Sequence, residues 1–166
     1  MSTSRFRPAM LTGVLAAAAL IVSGCTVPRP QITVYGNRTA VRVQAYQWCI
    51  DLNSPCNLDK SNIERLTMQV NQPLQVNVPS EIGDSIWRVI WTFQDNRTKV
   101  ITSGSSPYFT DKRLSFTIPA FGTEQILKTV EVQRLIAGTD ADGNVGFGVT
   151  SSWDLIILPK ATSTAP

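Results

Sequence analysis

Ser85-Ile86-Trp87-Arg88-Val89-Ile90-Trp91-Thr92-Phe93 alternates with period two. Trp87, Val89, Trp91 and Phe93 fall on one side, and Ile86, Arg88, Ile90 and Thr92 on the other. A strand sends successive side chains to opposite faces, so this stretch predicts a half-buried strand with its aromatic face inward. Upstream, Leu74, Val76 and Val78 alternate with Gln75 and Asn77 until Pro79. Leu66, Met68 and Val70 do the same before the break at Asn71-Gln72-Pro73. Ile32 and Val34 alternate, Gly36-Asn37 is a turn candidate, and Val41, Val43 and Ala45 lead into Tyr46-Gln47-Trp48-Cys49.

Downstream, Asp95-Asn96-Arg97 reads as a turn, and Ser103-Gly104-Ser105-Ser106 as a loop. Leu114, Phe116 and Ile118 form a short alternating run that Pro119 ends. Glu124 to Ile136 fits either period, and its second half reads as strand because β-branched residues pack well on sheets. Asp140 to Gly146 is a turn into Phe147 to Leu158, with Trp153, Leu155 and Ile157 on one face. Eight or nine short strands and no strong amphipathic helix predict an all-β, antiparallel β-sandwich of immunoglobulin-like arrangement.

The chain opens with a different signal. Arg5 and Arg7 precede a mostly apolar stretch, Ala9 to Val22, which runs into Val22-Ser23-Gly24-Cys25. A basic start, an apolar core and small residues before a cysteine are the parts of a cleavable export signal. The stretch falls short of the ~20 residues a spanning helix needs. Its resemblance to bacterial lipoprotein signals implies a diacylated Cys25 at the new N-terminus, and two acyl chains suffice for stable anchoring. The expected organisation is a signal peptide over 1–24, a lipid-anchored tether over 25–30, a sandwich over 31–158 and a flexible tail over 159–166. The expected address is the extracytoplasmic face of the cell membrane.

Of 15 basic residues, Arg5 and Arg7 leave with the signal, so 13 remain against 12 acids, a net +1. Such a surface offers no electrostatic case for nucleic acid. Cys49 and Cys56, seven apart in an exported chain, predict a disulfide stapling a local loop.

The sequence contains no histidine. That removes histidine-based triads, Cys-His dyads and most zinc sites, and no nucleophile elbow or phosphate loop is present. No enzyme activity, cofactor or metal is expected. Asp140-Ala141-Asp142-Gly143-Asn144 has oxygen ligands at alternate positions, yet position twelve from Asp140 is Ser151, where a calcium loop needs glutamate. Asp142-Gly143 is also a favoured hairpin turn, so a plain turn is expected. Asp51, Asp59, Glu64, Glu81, Asp84 and Asp95 read as solvated acids in loops and turns. Asn-Arg-Thr at 37–39 and 96–98 matches a glycosylation acceptor pattern, with a turn role expected for both asparagines. Trp87 and Trp91 read as core. Trp48, beside the cysteine loop, reads equally well as core or contact residue. With Arg88 on the outer strand face, it forms the candidate contact surface.

Tyr46-Gln47-Trp48-Cys49 with Cys56, Val78-Pro79-Ser80-Glu81-Ile82 and Trp87-Arg88-Val89 together resemble a family of actinobacterial envelope lipoproteins that carries only a domain-of-unknown-function label. The resemblance spans roughly residues 32–158. It implies an actinobacterial host and a β-rich fold, and supplies no catalytic residues. The expected function is a lipid-anchored binding or scaffolding protein of the cell envelope with a protein partner. The alternative is a carrier of a lipid or glycolipid, with a cavity between the sheets.

Overall fold

The computed structural model describes residues 28–50, 54–139 and 143–160. Cys25 and the pair Asp140 and Asp142 therefore lie outside the described residues. Eleven strands follow in order: β1 (Ile32–Gly36), β2 (Thr39–Val43), β3 (Gln47–Trp48), β4 (Asn57–Leu58), β5 (Glu64–Met68), β6 (Leu74–Asn77), β7 (Ile86–Asp95), β8 (Ile101–Ser105), β9 (Ser115–Ile118), β10 (Gln125–Thr139) and β11 (Val145–Pro159). One short helix, α1 (Ser80–Gly83), joins β6 to β7.

Two sheets form the sandwich. The first has the order β2-β1-β6-β9, and the second β4-β3-β11-β10-β7-β8, with β5 also paired to β11. The chain crosses between the sheets from β2 to β3, β5 to β6, β6 to β7, β8 to β9 and β9 to β10. The first sheet thus contributes β1-β6-β9, and the second β8-β7-β10-β11, which is the immunoglobulin-like arrangement. All pairings are antiparallel but one: β5 runs parallel to β11, from Glu64 opposite Leu155 to Met68 opposite Pro159.

The β7 alternation decides the packing as its sequence requires. Trp87, Val89 and Trp91 are buried, and Val132, Val130, Trp153, Leu155 and Ile157 join them from β10 and β11. Ile32, Val34, Val43, Leu74, Val76 and Ile118 close the core from the first sheet. Each such side chain contributes about 1.5–3 kcal/mol on burial. An aromatic ladder runs along the inner side. Trp87 meets Phe109 at 4.6 Å between ring centroids, Phe109 meets Phe116 at 5.4 Å, and Phe93 meets Phe121 at 5.0 Å. The buried indoles of Trp87 and Trp153 donate to the carbonyls of Arg113 and Pro30, each at 3.0 Å. Pro30, the last residue of the expected tether, is thereby fastened to the core.

Several elements differ from their sequence readings. The β1–β2 turn is Asn37-Arg38, with φ of 50° and 62°, rather than Gly36-Asn37. Gly36 pairs with Thr39 inside the hairpin, and glycine suits the site since a Cβ there would come within 2.8 Å of Leu74 Cδ1. Two positive φ values suit a two-residue hairpin whose twist matches its strands. Residues 125–139 form one continuous strand, with register shifts between Leu127 and Thr129 against β7 and between Arg134 and Leu135 against β11. Those shifts blur the period-two signal. Strands β3 and β4 have two residues each and give no readable pattern. Serines 103 and 105 belong to β8 rather than to a loop.

Candidate binding surfaces on the second sheet

Arg88 projects from β7 onto the outer face of the second sheet, in the row Arg88–Gln133–Ser152. Its Nε donates to Gln133 Oε1 at 2.8 Å, and its Nη1 donates to the Tyr108 hydroxyl at 3.0 Å. The guanidinium carbon lies 5.0 Å from the centroid of the Tyr108 ring. Tyr108 stacks in turn on Phe147 at 4.7 Å, and both rings are nearly half exposed, at 44% and 46%. Gln133 is itself oriented, since its amide nitrogen donates to Glu131 Oε1 at 2.7 Å. An Arg with five donors uses two of them here, so its remaining N–H groups stay available in a fixed direction.

Trp48 belongs to a different place. It pairs with Ser151, which pairs with Arg134, which pairs with Trp87. Directly paired residues share a face, so Trp48 lies on the inner side of the sheet and Arg88 on the outer. The structure does not bring the two together. Trp48 is half-buried, packs against the core, and carries the Arg134 guanidinium 5.9 Å above its ring. Its position is the rim of the core.

The disulfide joins Cys49 to Cys56, with Cα atoms 4.2 Å apart. It closes the loop of the β3–β4 hairpin, where Trp48 pairs with Asn57. Cys49 is anchored further by its amide, which donates to the Thr150 carbonyl at 2.8 Å. A groove of about 610 Å³ opens beside it, lined among others by Ile50, Ile86, Arg134, Leu135 and Ile136. A second groove of about 740 Å³ lies at the opposite end, with a polar lining that includes Asn37, Arg38, Gln72 and Lys160. Where the sheets meet near Met68, Phe121, Leu127 and Ile157, the free space is only about 20 Å³.

Further along the outer face, Glu131 and Asp154 are direct cross-strand partners. Burial, and then the Glu131 charge, push the Asp154 carboxyl up to about 6. Neither carboxylate lines either of the two large grooves. Asp95, by contrast, accepts from the amides of Thr98 and Arg97 at 2.7 and 2.9 Å. Those bonds hold its carboxyl below the usual range and fix the β7–β8 turn. Ser106, in the serine-rich segment, is buried: it accepts from the Val89 amide and donates to the Pro107 carbonyl, a structural role. Among the described residues, no three His, Cys, Asp or Glu side chains cluster as a metal site. No helix there is long and apolar enough to cross a membrane.

Sequence reasoning missed Tyr108, Gln133, Arg134 and Phe147. Phe147 did carry a signal, because an aromatic between Gly146 and Gly148 has no neighbouring side chain to bury it. The other three are placed by cross-strand register, which one strand's alternation does not contain.

A family model described as "Protein of unknown function (DUF2771)" matches residues 26–157. Uncharacterized protein Rv0875c of Mycobacterium tuberculosis (strain ATCC 25618 / H37Rv) is 27% identical over 146 residues, covering 86% of each chain. Uncharacterized protein Mb0899c of Mycobacterium bovis (strain ATCC BAA-935 / AF2122/97) shows the same identity and coverage. No solved structure matches. The match spans both sheets and the disulfide hairpin, and the mycobacterial relatives agree with the actinobacterial resemblance of the motifs: the chain belongs to the DUF2771 family.

Proposed function

We propose that this protein is a lipid-anchored, extracytoplasmic binding protein of the cell envelope, and that it recognises a protein partner through the outer face of its second sheet. The observation that carries the reading is the fixed Arg88–Tyr108–Phe147 cluster. Arg and Tyr are enriched where interfaces concentrate their binding energy, because each offers a large stiff contact area and a directed polar group. Here the guanidinium is held by two hydrogen bonds before any partner arrives. Binding therefore loses less side-chain freedom than it would at a mobile Arg. Membrane attachment would come from acylated Cys25, which the sequence alone supports.

The protein-binding reading is favoured over lipid or glycolipid carriage by the core. Carriage between the sheets needs an enclosed cavity of several hundred Å³, whereas the space near Leu127 and Ile157 holds about one water and the two larger grooves are open. The test is a photoreactive amino acid at position 147, activated in membranes of the native host. A discrete crosslinked protein that disappears with Arg88→Ala is the expected result. Crosslinking to lipid alone, or a product indifferent to Arg88, would overturn the reading.

A further inference from the structure

Tyr35 on β1 stands beside Gln75 on β6, and Gln75 stands beside Thr117 on β9. Their chain neighbours Val34, Val76 and Ile118 are buried, so this row faces outward, on the side of the sandwich away from Arg88. It lines the polar groove of about 740 Å³, a volume within the range of small-ligand sites. The β1–β2 turn adds Asn37 and Arg38, the β5–β6 connection adds Gln69 and Gln72, and Lys160 follows β11. Hydrogen bonds fix the last two segments. The Lys160 amide donates to the Met68 carbonyl at 2.8 Å, and Asn71 Oδ1 accepts from the Gly122 amide at 2.9 Å. Arg38 sits at φ 62°, in the second turn position where such a hairpin most readily takes glycine. A long cation thus stands at the groove against its backbone preference.

The lining has one chemical character. It holds two cations, Arg38 and Lys160, and no acid. Among the described residues, neither cation is ion-paired. The amides of Asn37, Gln69, Gln72 and Gln75 each carry two donors and an acceptor. Gln75 is already oriented, with its Nε2 donating to Asn77 Oδ1 at 3.1 Å. Tyr35, 47% exposed, adds an aromatic ring. Such amides match hydroxyl groups, which both donate and accept. The electron-rich face of an aromatic ring attracts the slightly positive C–H groups of a sugar. Guanidinium and ammonium groups add strong hydrogen bonds to carboxylate or phosphate. Because the groove is open, a polymer can run through it and continue beyond.

We propose that this groove binds an acidic glycan, a polyhydroxylated chain bearing carboxylate or phosphate groups. Tyr35 packs on a sugar ring, the amides bond its hydroxyls, and Arg38 and Lys160 meet its charges. This site goes beyond the protein-binding reading. It lies on the first sheet and the Arg88 cluster on the second, so both can be occupied at once.

The test is calorimetric titration of the full chain in detergent with four probes: a galacturonate hexamer, phosphorylated oligomannose, uncharged maltohexaose and the acidic peptide hexaglutamate. At least one acidic glycan is expected to bind, with maltohexaose and hexaglutamate about tenfold weaker or more. Tyr35→Ala, Arg38→Gly and Lys160→Gln should each weaken glycan binding by about five- to tenfold. Lys112→Gln, beside Asp84 at the other groove, should leave it unchanged. Arg38→Gly gives the turn its preferred residue, so its thermal midpoint should not fall, and binding lost there is not folding lost. Hexaglutamate binding as tightly as either acidic glycan overturns the proposal in favour of an acidic peptide. No binding of either acidic glycan, or binding indifferent to Tyr35→Ala and Arg38→Gly, also overturns it.

Discussion

Glu131 and Asp154 face one another across the β10–β11 ladder as Cα partners, two acids in a position where like charges oppose each other. The ordinary Asp value is 3.8, and Asp154 is raised to about 6. Between those values the folded state holds a proton that the unfolded state releases. This contribution therefore favours folding below about pH 4 and is lost as pH rises through 6. Asp154 is only partly buried, so after solvent screening the penalty at neutral pH is about 1 kcal/mol. Asp154→Asn should stabilise the domain by that order at pH 7 and flatten the wild-type loss between pH 4 and 6. Denaturant midpoints measured across that range check it, and identical pH slopes for the two proteins would contradict it.

The Cys49–Cys56 bond closes a loop of sequence separation 7. Replacing both cysteines with serine should cost about 2–3 kcal/mol, chiefly through freedom returned to the unfolded chain. The measurement is urea unfolding of the double variant beside the oxidised protein. The β7–β10–β11 core is expected to survive, since the hairpin meets β11 only along the short stretch Thr150–Ser152.

Gly104 faces Trp91 across the β7–β8 pair. A Cβ there would lie 2.7 Å from the indole ring, which packs against Phe116 and Phe121. Gly104→Ala should therefore destabilise by about 1–3 kcal/mol through overpacking. Thermal unfolding followed by tryptophan fluorescence tests this, and an unchanged midpoint would mean that Trp91 shifts freely.

The Trp153 indole donates to Pro30 from a fully buried position. Trp153→Phe should remove that bond and leave the carbonyl without its partner, at about 1–3 kcal/mol. Faster amide exchange at Gln31 and Ile32 is the specific signature. Loss of stability without it would mean that the ring's volume, not its N–H, holds the entry segment.

These residues also show what the sequence makes legible. The alternation of Trp87, Val89 and Trp91 predicts strand, face and burial together, because a half-buried strand writes its orientation into its period. Cys49 and Cys56 are equally readable once export is inferred. The partners of Arg88 are not, since Gln133 lies 45 residues away and is delivered by register between strands. The same limit separates Trp48 from Arg88, which sequence places on one surface and the sheet places on two faces. Helix α1 left no trace because four residues are too few to show a 3.6 period.

The most direct measurement is the intact mass of the native assembly, extracted gently from its own membrane and compared with the Arg88→Ala protein. The account expects the acylated chain in stoichiometric complex with one envelope protein, and dissociation of that complex in the variant. An acylated chain with no protein partner, or one carrying extra lipid or glycan mass beyond its anchor, would contradict it.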